Sequence, residues 1–231
     1  MRKSCSKDFN NLDSFIINDK ILNKFYYKLD EYQKDYYESI LDPNIKFIGV
    51  NASSGSGKTW ISVGGSLELL REGKINKIFY LRTPDDRSLK LGFLPGDQME
   101  KSQIYFKPFY DIAIDFGIRP EEIDLARENE SIILTTDICL RGTNISKSAV
   151  IIDEAQNMDS DTIKLVLTRL HDDCKAILIG HKLQNDQKNE DGSTFDKYID
   201  YMIQKPWAKR CELKKNYRGE MSTWADNFQL N

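Results

Sequence analysis

Residues 52–59, Ala52-Ser53-Ser54-Gly55-Ser56-Gly57-Lys58-Thr59, follow directly on the apolar run Phe47-Ile48-Gly49-Val50. This is the spacing of a phosphate-binding loop at a strand-to-helix turn, and it predicts a nucleoside-triphosphate site. A loop that wraps phosphates turns successive backbone N–H groups inward, so its side chains must be small, as they are here. Lys58 then reaches the β and γ phosphates, and the Thr59 hydroxyl ligates Mg²⁺. Ala52 stands where the strict pattern has glycine, which is tolerable provided that the backbone there does not need a positive φ. The competing account is a chance Ser/Gly loop. The strand before it and the amphipathic stretch from Trp60 to Leu70 after it weigh against chance. Downstream, Ala149-Val150-Ile151-Ile152-Asp153-Glu154 is an apolar strand ending in two carboxylates. In NTPases with such a loop, a strand of this kind supplies the acid on the metal side. Asp153 would hold Mg²⁺ through water, and Glu154 would orient and deprotonate an attacking water. Surface Asp-Glu pairs are common, so this pair takes its meaning from the phosphate loop upstream.

Those residues need a sheet to hold them. Short β-like runs occur at Lys46 to Val50, Ile75 to Leu81, Ser131 to Thr135, Ala149 to Ile152 and Ala176 to Ile179, mostly separated by helical patterns such as Thr162 to Leu170. This alternation predicts an α/β fold, a parallel sheet covered by helices on both faces. Apolar and aromatic residues from Phe15 to Ile40 recur at helical spacing, so residues 1–44 read as a helical N-terminal extension closed by Asp42-Pro43-Asn44. Residues 83–130 read as an insertion between strands, with a loop around Gly92 to Asp97 and then two helical patterns. Its acidic run, Glu121 to Glu130, is expected to be a solvated helix face.

With 231 residues, 40% of them hydrophobic, the chain has the material for one substantial core, and residues 1–231 are expected to form a single domain. A net charge of -3 gives no global basic field, so any nucleic-acid contact must rest on local patches. The four cysteines are scattered, without a Cys-x-x-Cys pair, and there are two histidines in all, which argues against a zinc site and a disulfide framework. A reducing, cytoplasmic setting is the expectation. The N-terminus lacks an apolar h-region, and no apolar run approaches the length of a membrane span, so no membrane partner is expected.

Asp153-Glu154-Ala155-Gln156-Asn157 and Leu91-Gly92-Phe93-Leu94-Pro95-Gly96-Asp97 closely resemble motifs of the PhoH family, a branch of P-loop ATPases related to superfamily-one helicases. Arg82-Thr83-Pro84, Arg141-Gly142-Thr143, Leu167-Thr168-Arg169, and Gly180 with Gln184 add to the resemblance, which runs from about residue 30 to about residue 218. It implies an ATPase with a RecA-like core, ATP and Mg²⁺ as ligands, and a link to RNA metabolism. In some members it extends to RNA unwinding or cleavage and to ring-shaped hexamers. By the same resemblance, Gln33 sits where related helicases place a glutamine that reads the adenine edge; the alternative is a solvent-facing helix residue. His181 and Gln184 fall close to the triphosphate, and Arg169 and Arg218 are the candidate charges for the transferring phosphate.

Two positions depart from the family pattern. His181 stands where the family usually has Asp, which changes both charge and metal preference. Tyr217-Arg218-Gly219 stands where the family usually shows an Arg-His pair. Helicases of this type place ATP between two RecA-like lobes, and this chain has room for one. A homo-oligomer, with Arg169 or Arg218 acting in trans, is the corresponding expectation. For single-stranded nucleic acid the candidates are Lys205, Lys209, Arg210, Lys214, Lys215 and Arg218 near the C-terminus, with Arg87 and Lys90 and the aromatics Phe93, Tyr105, Phe106, Phe109 and Tyr110. The helical spacing of those aromatics favours a core role instead. Arg82 and Arg141 could bind a strand or phosphate, or form structural ion pairs. The leading reading is an ATP hydrolase acting with RNA or single-stranded nucleic acid. A nucleotide-gated oligomeric assembly with little turnover is the alternative, favoured by His181. A small-molecule phosphotransferase shares the loop but would need an acceptor site and usually an arginine-rich lid, for which the acidic Glu121 to Glu130 stretch is ill suited, and apart from Asp153-Glu154 no carboxylate cluster suits a two-metal nuclease.

Overall fold

The computed structural model describes residues 19–82, 98–136, 143–181 and 194–226. The five expected strands are present as β1 Phe47–Asn51, β2 Lys77–Arg82, β3 Ile132–Thr135, β4 Ser148–Asp153 and β5 Lys175–Gly180, joined by β6 Ala208–Cys211. They form one sheet in the order β3-β2-β4-β5-β1-β6, with every neighbouring pair parallel. β5 therefore lies between β1, which leads into the phosphate loop, and β4, which carries the carboxylates.

Parallel neighbours need crossovers. α3 (Lys58–Arg71) connects β1 to β2, and α4 (Gln98–Asp115) and α5 (Pro120–Glu128) lie between β2 and β3. α6 (Ser160–Leu167) connects β4 to β5, and α7 (Thr194–Met202) lies between β5 and β6. α1 (Asp19–Lys28) and α2 (Glu31–Leu41) precede the sheet, and α8 (Glu220–Asp226) follows it. The strands read as nearly continuous apolar runs because both faces are covered. Ile48, Val50, Ile78, Tyr80 and Ile151 point into a core shared with the helices before and after β1 and with α4 and α5. Their sequence neighbours Phe47, Phe79, Leu81, Val150 and Ile152 point the other way, against Ile163 and Val166 of α6 and Phe195 and Ile199 of α7.

The aromatics of α4 join the first core, as their spacing indicated. Phe106 and Phe109 are buried, and the Phe109 ring lies 5.4 Å from that of Tyr80. These rings are packing, not a base-stacking surface; Phe93, Arg87 and Lys90 lie outside the described residues. α2 starts with a capping box, in which Asp30 accepts from the Gln33 N–H at 2.8 Å and Gln33 Oε1 accepts from the Asp30 N–H at 3.2 Å. The box turns Gln33 inward, where it is buried, so a solvent-facing Gln33 is ruled out. One turn on, the Tyr36 hydroxyl meets Ser62 Oγ at 2.6 Å and ties α2 to α3.

Candidate functional site

β1 is buried from Phe47 to Val50, and the loop's first amide, Ala52 N–H, donates to Gly180 of β5 at 3.1 Å. Ala52 is not among the residues with positive φ, so the missing glycine costs nothing there. The left-handed turns fall on Gly55 (φ 77°) and Gly57 (φ 90°), which have no Cβ to clash. Gly55 is also needed for space, because a Cβ on it would lie 2.4 Å from Asn216 Oδ1. Ser56 Oγ braces the loop by donating to Ser53 O at 2.9 Å. Gly57 is the N-cap of α3 and offers no side-chain acceptor, so the first amides of that helix are left to an anion. Lys58 Nζ donates to Ser53 O at 3.1 Å. Burial pulls its pKa below the ordinary lysine value, and the Glu154 and Asp153 carboxylates partly offset this.

At the end of β4, Asp153 is buried. Its Oδ1 accepts from the Thr59 hydroxyl at 3.3 Å and its Oδ2 from the Tyr80 hydroxyl at 2.5 Å, with Arg82 Nη1 4.0 Å away. Burial and the adjacent Glu154 push its pKa above the usual carboxylate range, against the pull of Arg82, Tyr80 and Lys58. Tyr80 and the anchoring role of Arg82 are parts of the site that the sequence did not assign. Tyr80 sits mid-strand and reads as core, and it is core except for its hydroxyl. The donor set fits Mg²⁺: a hydroxyl and a buried carboxylate are hard oxygen ligands, and magnesium takes few protein ligands and fills its shell with phosphates and water. Accordingly, no group of three or more His, Cys, Asp or Glu able to hold a metal occurs among the described residues.

Glu154 adopts a left-handed backbone (φ 54°, ψ 41°), unusual for a residue with a Cβ and worth about 1–2 kcal/mol of local strain. It is held there by its own N–H, which donates to Asp153 Oδ1 at 3.0 Å, and by the short 3-10 turn Ala155–Asn157 that begins at it. Its carboxylate accepts from Arg82 Nη2 at 3.4 Å and from Gln156 Nε2 at 2.6 Å.

The segment after β6 crosses the phosphate loop of its own chain. The Tyr217 N–H donates to Gly55 O at 2.9 Å, Arg218 Nη1 donates to Ser54 Oγ at 2.6 Å, and the Tyr217 hydroxyl donates to Asp30 Oδ2 at 2.6 Å. Arg218 therefore reaches the loop in cis. Gln33 Nε2 donates to Ser56 O at 3.1 Å, so the glutamine sits against the loop beside Tyr217. His181, at the end of β5, places Nδ1 3.6 Å from Asp226 Oδ1 of α8. Arg169 is elsewhere: its carbonyl accepts from the Ile145 N–H at 2.9 Å, ahead of the start of β4. That is the end of the strands opposite the site, roughly 25 Å of extended chain from Asp153. Arg169 cannot serve the loop of its own chain. Gln184, Arg141 and the loop 91–97 lie outside the described residues.

Part of the C-terminal basic patch is engaged by neighbouring carboxylates and a tyrosine hydroxyl. Lys209 meets Asp35 at 2.6 Å, Arg210 meets Asp196 at 2.8 Å and Asp200 at 2.6 Å, and Lys214 donates to the Tyr32 hydroxyl at 2.7 Å. Lys205 and Lys215 remain exposed, and on α8 so do Met221 and Trp224.

The family model described as PhoH-like protein matches residues 27–224. A PhoH-like protein of Synechocystis sp. is 33% identical over 158 residues, covering 68% of this chain and 47% of that protein. Protein PhoH of Escherichia coli K12 is 32% identical over 158 residues, 68% of this chain and 44% of that protein. The chain thus matches less than half the length of these relatives. Among solved structures, the DUF1998 helicase MrfA bound to DNA and AMPPNP superposes with a TM-score of 0.50 at 14% identity, covering 87% of this chain and 29% of that one. This is a likeness of fold. Among the described residues, no helix is long and apolar enough to cross a membrane.

Proposed function

Because this chain belongs to the PhoH-like protein family, we propose that it binds ATP with Mg²⁺ and hydrolyses it, with RNA or another single strand setting the rate. The observation that carries the reading is the junction of Thr59 and Asp153 at 3.3 Å, with Glu154 next in sequence and braced by Arg82 and Gln156. The loop amides and Lys58 take the phosphates. Thr59 and Asp153 would hold Mg²⁺, which when bound supplies positive charge to the phosphate oxygens. Glu154 orients a water and accepts its proton as the water oxygen bonds to the γ-phosphorus and the bond to ADP breaks. Arg218 neutralises the charge that collects on the transferring group.

Tyr217 supplies a place for the base. It is tied to the phosphate loop at one end and to Asp30 at the other, and its ring is half-exposed beside Gln33. Replacing it by alanine is expected to weaken ATP binding about tenfold while leaving inorganic tripolyphosphate binding within about twofold, as titration calorimetry would show.

The exposed Trp224, Met221 and Lys215 near Arg218 support a nucleic-acid partner, since aromatic and cationic side chains together suit a single strand. We also propose a ring-shaped homo-oligomer as the working form. The deciding experiment is steady-state ATP hydrolysis with and without single-stranded RNA, alongside Lys58→Ala, with the mass in solution measured in parallel. Turnover raised by RNA and absent in the variant is the expected outcome. If ATP binds but turnover stays at the variant's level with every RNA, the nucleotide-gated assembly is correct, and the His181 contact with Asp226 becomes the feature that replaced turnover.

A further inference from the structure

Gln156 is buried at the foot of β4, and its amide joins two strands. Nε2 donates to Glu154 Oε2 at 2.6 Å, and Oε1 accepts from the backbone N–H of His181, just past β5, at 3.0 Å. The orientation is forced. The His181 N–H can only donate, so the amide oxygen faces it and the amide nitrogen faces the carboxylate; turned over, two donors would meet at one end and two acceptors at the other. The neighbouring glycine is part of the same arrangement, because a Cβ on Gly180 would lie 2.6 Å from Gln156 Oε1. Any side chain at 180 would displace the amide from this position.

Resting on the hydrolytic role proposed for Glu154, we propose that Gln156 is the positioning residue for that base. It fixes one carboxylate oxygen in an acceptor-only state and keys it to the end of β5. The geometry divides the work at Glu154 between two donors. Arg82 takes Oε1 at a long 3.4 Å and also faces Asp153, whereas Gln156 takes Oε2 at charge-assisted length from a buried amide. The remaining lone pairs of the carboxylate are then aimed by the fixed side. Position 181 acts on the base through its backbone, which a change of side chain there leaves in place.

Gln156→Glu tests this with the same side-chain shape. The new carboxylate still accepts from His181 but places an oxygen where the donor to Glu154 was, so two acceptors face each other and Glu154 loses its fixed side. The expected result at neutral pH is a kcat lower by about 10- to 100-fold with the KM for ATP within about twofold. Gln156→Asn keeps the amide without the reach and is expected to lose kcat with the KM likewise unmoved. The proton resonances of the Gln156 side-chain amide at one neutral pH, compared between the natural chain and Glu154→Gln, read the same contact without turnover, and the donor proton is expected to shift when the carboxylate is removed. An unchanged amide resonance overturns the proposal, as does loss of ATP binding in step with kcat in both Gln156 variants. A natural chain that binds ATP without hydrolysing it refutes the hydrolase reading instead, and the amide resonance still decides whether Gln156 holds Glu154.

Discussion

Replacing Glu154 by glutamine is expected to lower ATP turnover by about 10²- to 10⁴-fold while ATP affinity stays within about threefold. The loss follows from geometry. Glu154 meets its surroundings as an acceptor on both oxygens, toward Arg82 and Gln156. A glutamine there has one accepting oxygen and an NH₂ that must face one of those donors, so the variant loses both the proton acceptor and its alignment. Affinity is spared because the loop amides, Lys58 and Thr59 are unchanged. Stopped-flow binding and single-turnover hydrolysis separate the two terms. Equal losses in binding and turnover would mean that Glu154 braces the loop and does no chemistry.

The second large effect belongs to Arg218. Arg218→Ala is expected to cost about 10³-fold or more in turnover, the scale on which an arginine at a transferring phosphate acts. The expectation of an arginine from a neighbouring copy now has a specific competitor. Arg218 reaches Ser54 of its own loop, with its backbone N–H donating to Asn216 Oδ1 at 2.8 Å and the adjacent Tyr217 N–H pinned to Gly55. Mixing Arg218→Ala chains with Lys58→Ala chains decides between them. If the arginine works in cis, each mixed assembly contains only defective sites and activity does not return. Recovery of activity on mixing would show an arginine crossing between copies. For Arg169 that crossing is the one route left, given its place beyond the opposite ends of the strands.

The parts of this molecule that follow from local pattern were readable in the sequence. Five strands are apolar runs, most of them buried on both faces, and the loop and Asp153-Glu154 are contiguous motifs. β6 was missed because its residues, Ala208-Lys209-Arg210-Cys211, carry two charges in four positions and sit at a sheet edge, where only the ladder to β1 defines the strand. The contacts of Tyr80, Arg82 and Gln156 were unreadable for a different reason. Each depends on two strands distant in sequence ending at the same height, and strand register is set by tertiary packing. The left-handed backbone at Glu154 is likewise imposed from outside, since nothing in Asp153-Glu154-Ala155 asks for it. Arg218 was a candidate from the sequence, but its contact with Ser54 of its own loop depended on the path of residues 213–218.

That path has a consequence for how the protein comes into being. The phosphate loop, Thr59, Asp153, Glu154 and Gln156 all precede β6, and Arg218 is translated after every one of them. A nascent chain whose sheet has formed through β5 already contains the amides and the lysine proposed to take a triphosphate, but not the arginine proposed to drive its cleavage. On that reading nucleotide would be held on the ribosome before it could be consumed, and the ligand itself would stabilise the half-made domain until Arg218 arrives.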